Sequence, residues 1–125
     1  MQKTHSEHSK KGYLENYLRT FRKKAGLSQR EMGKLLAYLD EGAISRHEQA
    51  KTRPPLYGAI AYELIFQKPV SEIFRGLRDK TKLEIEERLL KFEDELKTRN
   101  EKGMRAAGIN QKLAWLAERR NIADD

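Results

Sequence analysis

The sequence predicts an all-α protein. Apolar residues recur at spacings of three and four in successive segments, as they do on the inner face of a helix. Start signals such as Ser28, followed three residues later by Glu31, divide these segments into short helices. No segment alternates apolar and polar residues as a half-buried strand does. We expect a flexible arm over residues 1–12, five helices in residues 13–79 and a helical extension in residues 80–125.

Charge is concentrated in the N-terminal half of the chain. The protein has 125 residues, of which 36% are charged, and a formal net charge of +7. Residues 1–56 hold 12 basic and 6 acidic side chains, whereas residues 80–125 hold 11 and 10. This asymmetry favours a polyanionic partner for the N-terminal half, either nucleic acid or an anionic membrane surface.

Several functional classes are disfavoured by composition. The chain has no cysteine, which excludes disulfides and thiolate metal sites. His5 and His8 stand in a polar segment, where solvated side chains are more common than a metal pair. No run of 18 apolar residues occurs, and the first residues lack the apolar region of a secretory signal. We expect a cytoplasmic protein without a metal, a cofactor or membrane attachment.

The first two helices are marked by both periodicity and capping signals. The inner face of the first is predicted to comprise Leu14, Leu18, Phe21 and Ala25. Gly26 ends that helix as a residue suited to a left-handed conformation. Ser28 and Glu31 form a capping box that opens the second helix. Its inward residues are predicted to be Met32, Leu35 and Leu36.

Three further short helices are predicted before residue 79. Asp40 is expected to cap the third, with Ile44 pointing inward. Pro55 or the next residue opens the fourth. The predicted inward face of the fourth helix is Tyr57, Ile60, Ala61 and Leu64. Ser71 is expected to cap the fifth, and Ile73 and Phe74 to close the core.

The C-terminal extension shows one apolar stripe and one further helix. The stripe over residues 80–102 consists of Ile85, Leu89, Phe92 and Leu96. Gly103 and Gly108 are expected to flank a break, after which Asn110 caps a last helix. That helix carries Leu113, Trp115 and Leu116. We expect the stripe and the last helix to form a homodimer contact; the alternative is that they pack on their own domain.

The ordered motifs from residue 18 to residue 74 resemble the helix-turn-helix domain of phage repressor and Cro-like (XRE-type) regulators. The resemblance is carried by G26-L27-S28-Q29, I44-S45-R46, Glu48, Pro54 and the run from Ala61 to Phe66. It implies a bacterial or phage-borne repressor that binds double-stranded DNA as a dimer. In that family the second helix crosses the DNA backbone and the third enters the major groove.

The resemblance also implies roles for individual residues. Gln29 corresponds to a residue that donates a hydrogen bond to a phosphate, and Arg30 is placed to add a second contact. Ser45 and Arg46 are expected to point toward DNA, where Arg46 binds a guanine edge or a phosphate. Lys51 and Arg53 follow the third helix, near the backbone of the half-site; solvated loop positions are the alternative for both.

Glu48 matches the family acid that pairs with an arginine of the first helix, here Arg22. The pair is expected to be structural, since it ties the third helix to the first. His47 is interpreted as packing at the edge of the core, and a pH sensor is the alternative. Ala50 stands where the family often has glycine. A left-handed backbone there would disfavour alanine, and an ordinary helical residue is the alternative.

The start of the third helix departs from the family pattern. Seven residues separate Leu36 from Ile44, one more than is usual. Asp40, Glu41, Gly42 and Ala43 fall at the positions that most often read bases, although acids repel phosphate. Three explanations are open. The acids serve the helix N-terminus, Glu41 accepts from cytosine N4, or a protein partner has replaced DNA.

Two other function classes are weighed against DNA binding. An antitoxin-like or adaptor protein would use the C-terminal helices to hold another protein. An enzyme is not expected, because the sequence has no cysteine nucleophile, GxSxG, phosphate loop or HExxH, and its acids are spread along exposed helix faces. The balanced charge of the C-terminal helices also gives no cationic face for a membrane surface.

Overall fold

The computed structural model describes residues 14–37, 41–99 and 103–124, which form seven helices and no strand. The helices are α1 Leu18–Lys24, α2 Gln29–Leu35, α3 Gly42–Glu48, α4 Leu56–Phe66, α5 Val70–Ile73, α6 Arg75–Thr98 and α7 Met104–Asp124. The all-α prediction is thereby confirmed for these residues. The predicted arm over residues 1–12 and the predicted cap Asp40 lie outside the described residues.

The chain divides into two compact units, residues 1–81 and residues 82–125. The division falls inside α6, so it does not coincide with the end of a helix. Residues 77–98 contain neither proline nor glycine, and nothing in the sequence stops the helix there.

Seven buried apolar side chains form the core of the first unit. They are Leu18, Met32, Leu36, Ile44, Tyr62, Ile73 and Phe74. The predicted capping box is confirmed: the Ser28 hydroxyl accepts from the Glu31 amide, and the Glu31 carboxylate accepts from the Ser28 amide. The left-handed stop at Gly26 is confirmed as well, with φ of 76°. Helices α2 and α3 pack against each other, and α1 packs against α3.

Of the four residues predicted to face the core from α4, only Ala61 packs against it. Tyr57, Ile60 and Leu64 are exposed, whereas Gly58 and Tyr62 are buried. The prediction failed because apolar residues occupy nearly every side of this helix, so periodicity cannot select one face. Packing selects it instead, since the Tyr62 hydroxyl has a hydrogen-bond partner in the core, His47.

Three helix starts also differ from the predictions. Leu14 precedes α1 and is exposed, because Asn16 accepts from the Leu18 amide at 3.0 Å and starts the helix later. Helix α5 begins after Pro69, with Glu63 accepting from its first amide, so Ser71 is not its cap. Asn110 lies inside α7, which begins after Gly103 at φ of 71°.

The second unit has a small core between α6 and α7. Leu96, Ile109 and Leu116 are buried there. Around that core, Glu86 pairs with Arg119 at 2.9 Å and Glu93 with Arg120 at 2.6 Å. Among the helices within the described ranges, none is long and apolar enough to cross a membrane.

Candidate nucleic-acid interface

Helix α3 is held by three side chains along its inner face. Ile44 and His47 are buried and lie one turn apart. Glu48 follows at the last position of the helix and faces α1. Because residues three and four apart share a face of a helix, the intervening Ser45 and Arg46 are directed away from the core.

The predicted pair of Arg22 and Glu48 is present and nearly buried, with 10% and 4% of the two side chains exposed. The Arg22 Nε donates to Oε2 of Glu48, and Nη2 donates to Oε1 at 3.1 Å. Arg22 also donates from Nη1 to the Leu27 carbonyl at 2.8 Å. The hydrogen bond to Glu48 raises the pKa of Arg22. Both charges are thus satisfied, as a buried pair requires.

Gln29 joins this network at the start of α2. Its Nε2 donates to Oε1 of Glu48 at 3.1 Å. The amide group has two N–H bonds, so this contact orients the side chain and uses only one of them. One carboxylate therefore connects α1, the start of α2 and the end of α3.

A second polar group anchors α3 to α4 and to the segment before α1. His47 Nδ1 lies 2.9 Å from the Tyr62 hydroxyl, and the two rings meet edge to face. Asn16 donates from Nδ2 to the His47 carbonyl at 2.9 Å. Burial, with a smaller effect of Arg46, lowers the pKa of His47, so the neutral ring is favoured. His47 is therefore a buried packing residue, as interpreted from the sequence.

Left-handed residues follow both α2 and α3. Ala50 has φ of 60°, which is the left-handed one of the two alternatives raised for it, and Ala37 has φ of 61°. After α3, the Lys51 amide donates to the Arg46 carbonyl at 2.9 Å. Such a bond satisfies a carbonyl at the helix end and turns the chain sharply.

The residues predicted to contact DNA differ in how far they are exposed. Arg46, Arg30 and Lys51 are exposed. Gly42 and Ala43 are half-buried in the first turn. Ala43 and Arg46 stand three residues apart and so share a face of α3.

Two other side chains that were predicted to contact DNA lie at the start of α3 and within it. Ser45 is half-buried, and its hydroxyl accepts from Nε2 of Gln49 at 3.0 Å. Glu41 occupies the N-cap position, but its exposed side chain makes no capping hydrogen bond. Of the three explanations for the acids here, capping by the Glu41 side chain is therefore not observed.

Arg53 is engaged within the protein. Its Nε and Nη2 donate to the two carboxylate oxygens of Glu15, each at 3.1 Å. The guanidinium remains more than half exposed. This bidentate pair ties the segment after α3 to the segment before α1, and a phosphate would have to compete with Glu15 for the same donors.

A groove beside α3 adds residues that the sequence analysis missed. Helix α1 contributes Arg19 and Lys23 to its lining, and α3 contributes Gln49 beyond its last turn. Arg19 and Lys23 are exposed cations four residues apart. Their exposure could have been inferred from the sequence, because each directly follows one of the two buried residues of α1, Leu18 and Arg22.

The residues predicted for dimerisation divide into two sets. The larger set packs in the core between α6 and α7 and comprises Leu89, Phe92, Leu96, Leu113 and Leu116. Ile85 and Trp115 lie on the surface of the same unit. Most of the apolar stripe thus packs against α7 within one chain, and the homodimer contact expected for it stays a prediction.

Within the described part of the chain, no three His, Asp or Glu side chains gather as a metal site would require. The exposed groups near α3 include the cations Arg19, Lys23 and Arg46 and one acid, Glu41 at the N-cap. Comparisons with protein-family models, with curated proteins and with solved structures gave no match.

Proposed function

We propose that the protein is a sequence-specific regulator of transcription, a repressor that binds double-stranded DNA as a dimer in the cytoplasm. The observation that carries this proposal is the fixation of α3 by Ile44, His47 and Glu48, with Arg46 exposed on the opposite side. A helix braced in this way presents its outer residues at a fixed angle, which reading of base edges requires.

The surrounding charge supports the same partner. Arg19, Lys23, Arg30 and Lys51 are exposed on the unit that contains α3. Cations of this kind bind phosphates and fix the register of a protein on the duplex, whereas base contacts specify the sequence. The proposal assigns Arg46 to a guanine edge and the second N–H of Gln29 to a phosphate.

Binding to the DNA upstream of its own coding sequence, measured by fluorescence anisotropy over a salt series, tests the proposal. We expect log K to fall steeply with log salt. Arg46→Ala should reduce the preference for the specific duplex over a scrambled one by about tenfold or more. Arg30→Ala should weaken binding to both duplexes alike and lower the salt slope by about 1.

Lys82→Ala provides the matched control, because Lys82 is an exposed cation of the second unit. It should leave affinity and slope unchanged. Failure of the parent protein to bind any duplex at low ionic strength would contradict the proposal. Equal losses in the Arg46, Arg30 and Lys82 variants would contradict the assignment of the site.

A second candidate function is an antitoxin-like or adaptor role for the C-terminal helices. It is favoured by the large apolar side chains that the second unit leaves exposed, among them Leu83, Leu90, Trp115 and Ile122. Co-purification of a second protein with the full chain, lost on Trp115→Ala, would support this role; its retention in that variant would count against it.

A further inference from the structure

Helix α4 carries an exposed apolar stripe on the side away from the core. Leu56 is 78% exposed, Tyr57 69%, Ile60 46% and Leu64 63%. The spacings of three and four between these residues place them on one face of the helix. A single exposed leucine needs no explanation, but a contiguous apolar patch of this kind marks an interaction site.

The stripe is uncharged in a protein rich in charge. Helix α4 contains no lysine or arginine, and its one acid is Glu63. That carboxylate is turned to the Val70 amide, from which it accepts a hydrogen bond at 2.9 Å. An anionic or cationic partner would therefore find no complementary group on this helix, whereas an equally apolar helix would meet no charge to desolvate.

We propose that the occupant of this face is α4 of a second copy of the chain, packed antiparallel about a twofold axis. The stripe is self-complementary in that arrangement. Leu56 and Leu64 each stand four residues from Ile60, so a twofold axis near Ile60 brings Leu56 onto Leu64 of the second copy. Helix α4 thereby buries its apolar face against an identical one.

The exposed area is sufficient for a dimer. The four side chains leave on the order of 500 Å² accessible per copy, so pairing them removes at most about 1,000 Å² in total. This lies near the lower bound for a specific interface, so we expect a reversible dimer with a dissociation constant in the micromolar range. That this dimer places two α3 helices on two half-sites of DNA rests on the proposed DNA-binding function. The existence of the dimer does not rest on that function.

Sedimentation equilibrium of the full chain over a concentration series tests the inference. We expect the parent to shift from monomer to dimer, and Leu64→Lys to remain monomeric over the whole series. Leu83→Lys, at a residue of the second unit that is 74% exposed, should dimerise as the parent does. Circular dichroism melts of both variants check that each is folded.

Engineered cysteines test the geometry, because the chain contains none of its own. Ile60→Cys should form an interchain disulfide under mild oxidation, and a mixture of Leu56→Cys with Leu64→Cys should form the mixed dimer. Leu83→Cys should not cross-link at the same concentration. These variants retain the exposed positions of the parent side chains and report proximity directly.

A parent that stays monomeric at several hundred micromolar would overturn the inference, as would a dimer that persists in Leu64→Lys. The DNA assay separates this failure from that of the proposed function. Duplex binding by a strictly monomeric parent would leave the function standing and remove the α4 interface. A dimer that is broken by Leu64→Lys, in a protein that binds no duplex, would support the α4 interface and contradict the proposed DNA-binding function.

Discussion

The two units of the protein use polar side chains in different ways. In the first unit, the pair of Arg22 and Glu48 is buried and connects α1 to the end of α3. In the second unit, the pair of Glu86 and Arg119 bridges α6 and α7 but remains accessible to water. A buried pair must keep its geometry once it has formed, whereas solvent screens and replaces an exposed one. The comparison indicates that the first unit is built to hold α3 in one position, and that the second is a more tolerant helical pair.

The largest expected difference in stability is between alanine substitutions at two glycines, Gly76 in the first unit and Gly108 in the second. A Cβ added at Gly76 would lie 1.8 Å from the carbonyl oxygen of Leu14, and backbone atoms on both sides would have to move. Gly76→Ala should therefore lower the free energy of unfolding by about 4 kcal/mol or more. Urea denaturation followed by circular dichroism measures the change.

Gly108→Ala is the matched substitution in the second unit. Nothing lies within 4 Å of a Cβ at Gly108, which sits inside α7. Helix propensity alone should then stabilise this variant by up to about 1 kcal/mol. Similar losses of stability from the two substitutions would show that the units do not differ in this way.

The ion pairs give the next largest contrast. Glu48→Ala leaves Arg22 buried without its carboxylate and removes the acceptor of Gln29, so we expect a loss of about 3 kcal/mol in unfolding free energy. Glu86→Ala removes an exposed pair and should leave the melting temperature unchanged within error. A Glu48→Ala variant that melts with the parent would contradict the structural role of the pair.

These contacts also separate what the sequence predicts from what it does not. The capping box and the stop at Gly26 depend on local chemistry, and both were predicted. The left-handed Ala50 was one of two alternatives that the resemblance left open. The inward face of α4 depends on which apolar residues fill the core, and local periodicity selected the wrong one. The exact starts of α5 and α7 depend on Pro69 and Gly103, which outweighed the capping potential of Ser71 and Asn110.

The candidate site was only partly predictable for the same reason. The resemblance placed Arg22 beside Glu48 and suggested that Arg46 points outward. It did not suggest that Glu48 also accepts from Gln29, or that Glu15 engages Arg53, because it assigned Gln29 and Arg53 to DNA and not to partners within the protein. Arg19 and Lys23 were missed because the motif assigns no role to that side of α1.

A smaller effect is expected where alanine adopts a left-handed backbone. Ala50→Gly should raise the unfolding free energy by about 0.5–1 kcal/mol, since a left-handed alanine costs about 1–2 kcal/mol and glycine returns part of the gain as unfolded-state entropy. Ala114→Gly, inside α7, should instead destabilise by about 1 kcal/mol. Thermal denaturation of the two variants side by side decides the point; a destabilised Ala50→Gly would refute it.

The subtlest contrast is in pH dependence. Burial holds the pKa of His47 below its ordinary value of 6.5, so just below that pH the unfolded chain binds more protons than the fold does. The contribution of His47 to stability should therefore be complete above pH 6.5 and decline as the pH falls below 6.5. The carboxylates with lowered pKa, such as Glu31, titrate below about 4.5 and do not affect this window.

His47→Gln should flatten that decline while keeping a partner for Tyr62. The double variant of His5 and His8 to alanine should retain it, because these histidines stand in the predicted arm. Melting temperatures between pH 5 and pH 8 measure the difference. An unchanged profile in His47→Gln would assign the pH dependence to another group.

The most direct test of DNA binding through α3 is an NMR titration of the ¹⁵N-labelled protein with a duplex selected from a random pool. We expect the largest amide shifts at Gln29 and Arg30 and from Glu41 to Arg46, with the amides of α7 unchanged. Shifts that fall mainly on residues 82–125 while those of α3 stay in place would contradict the account.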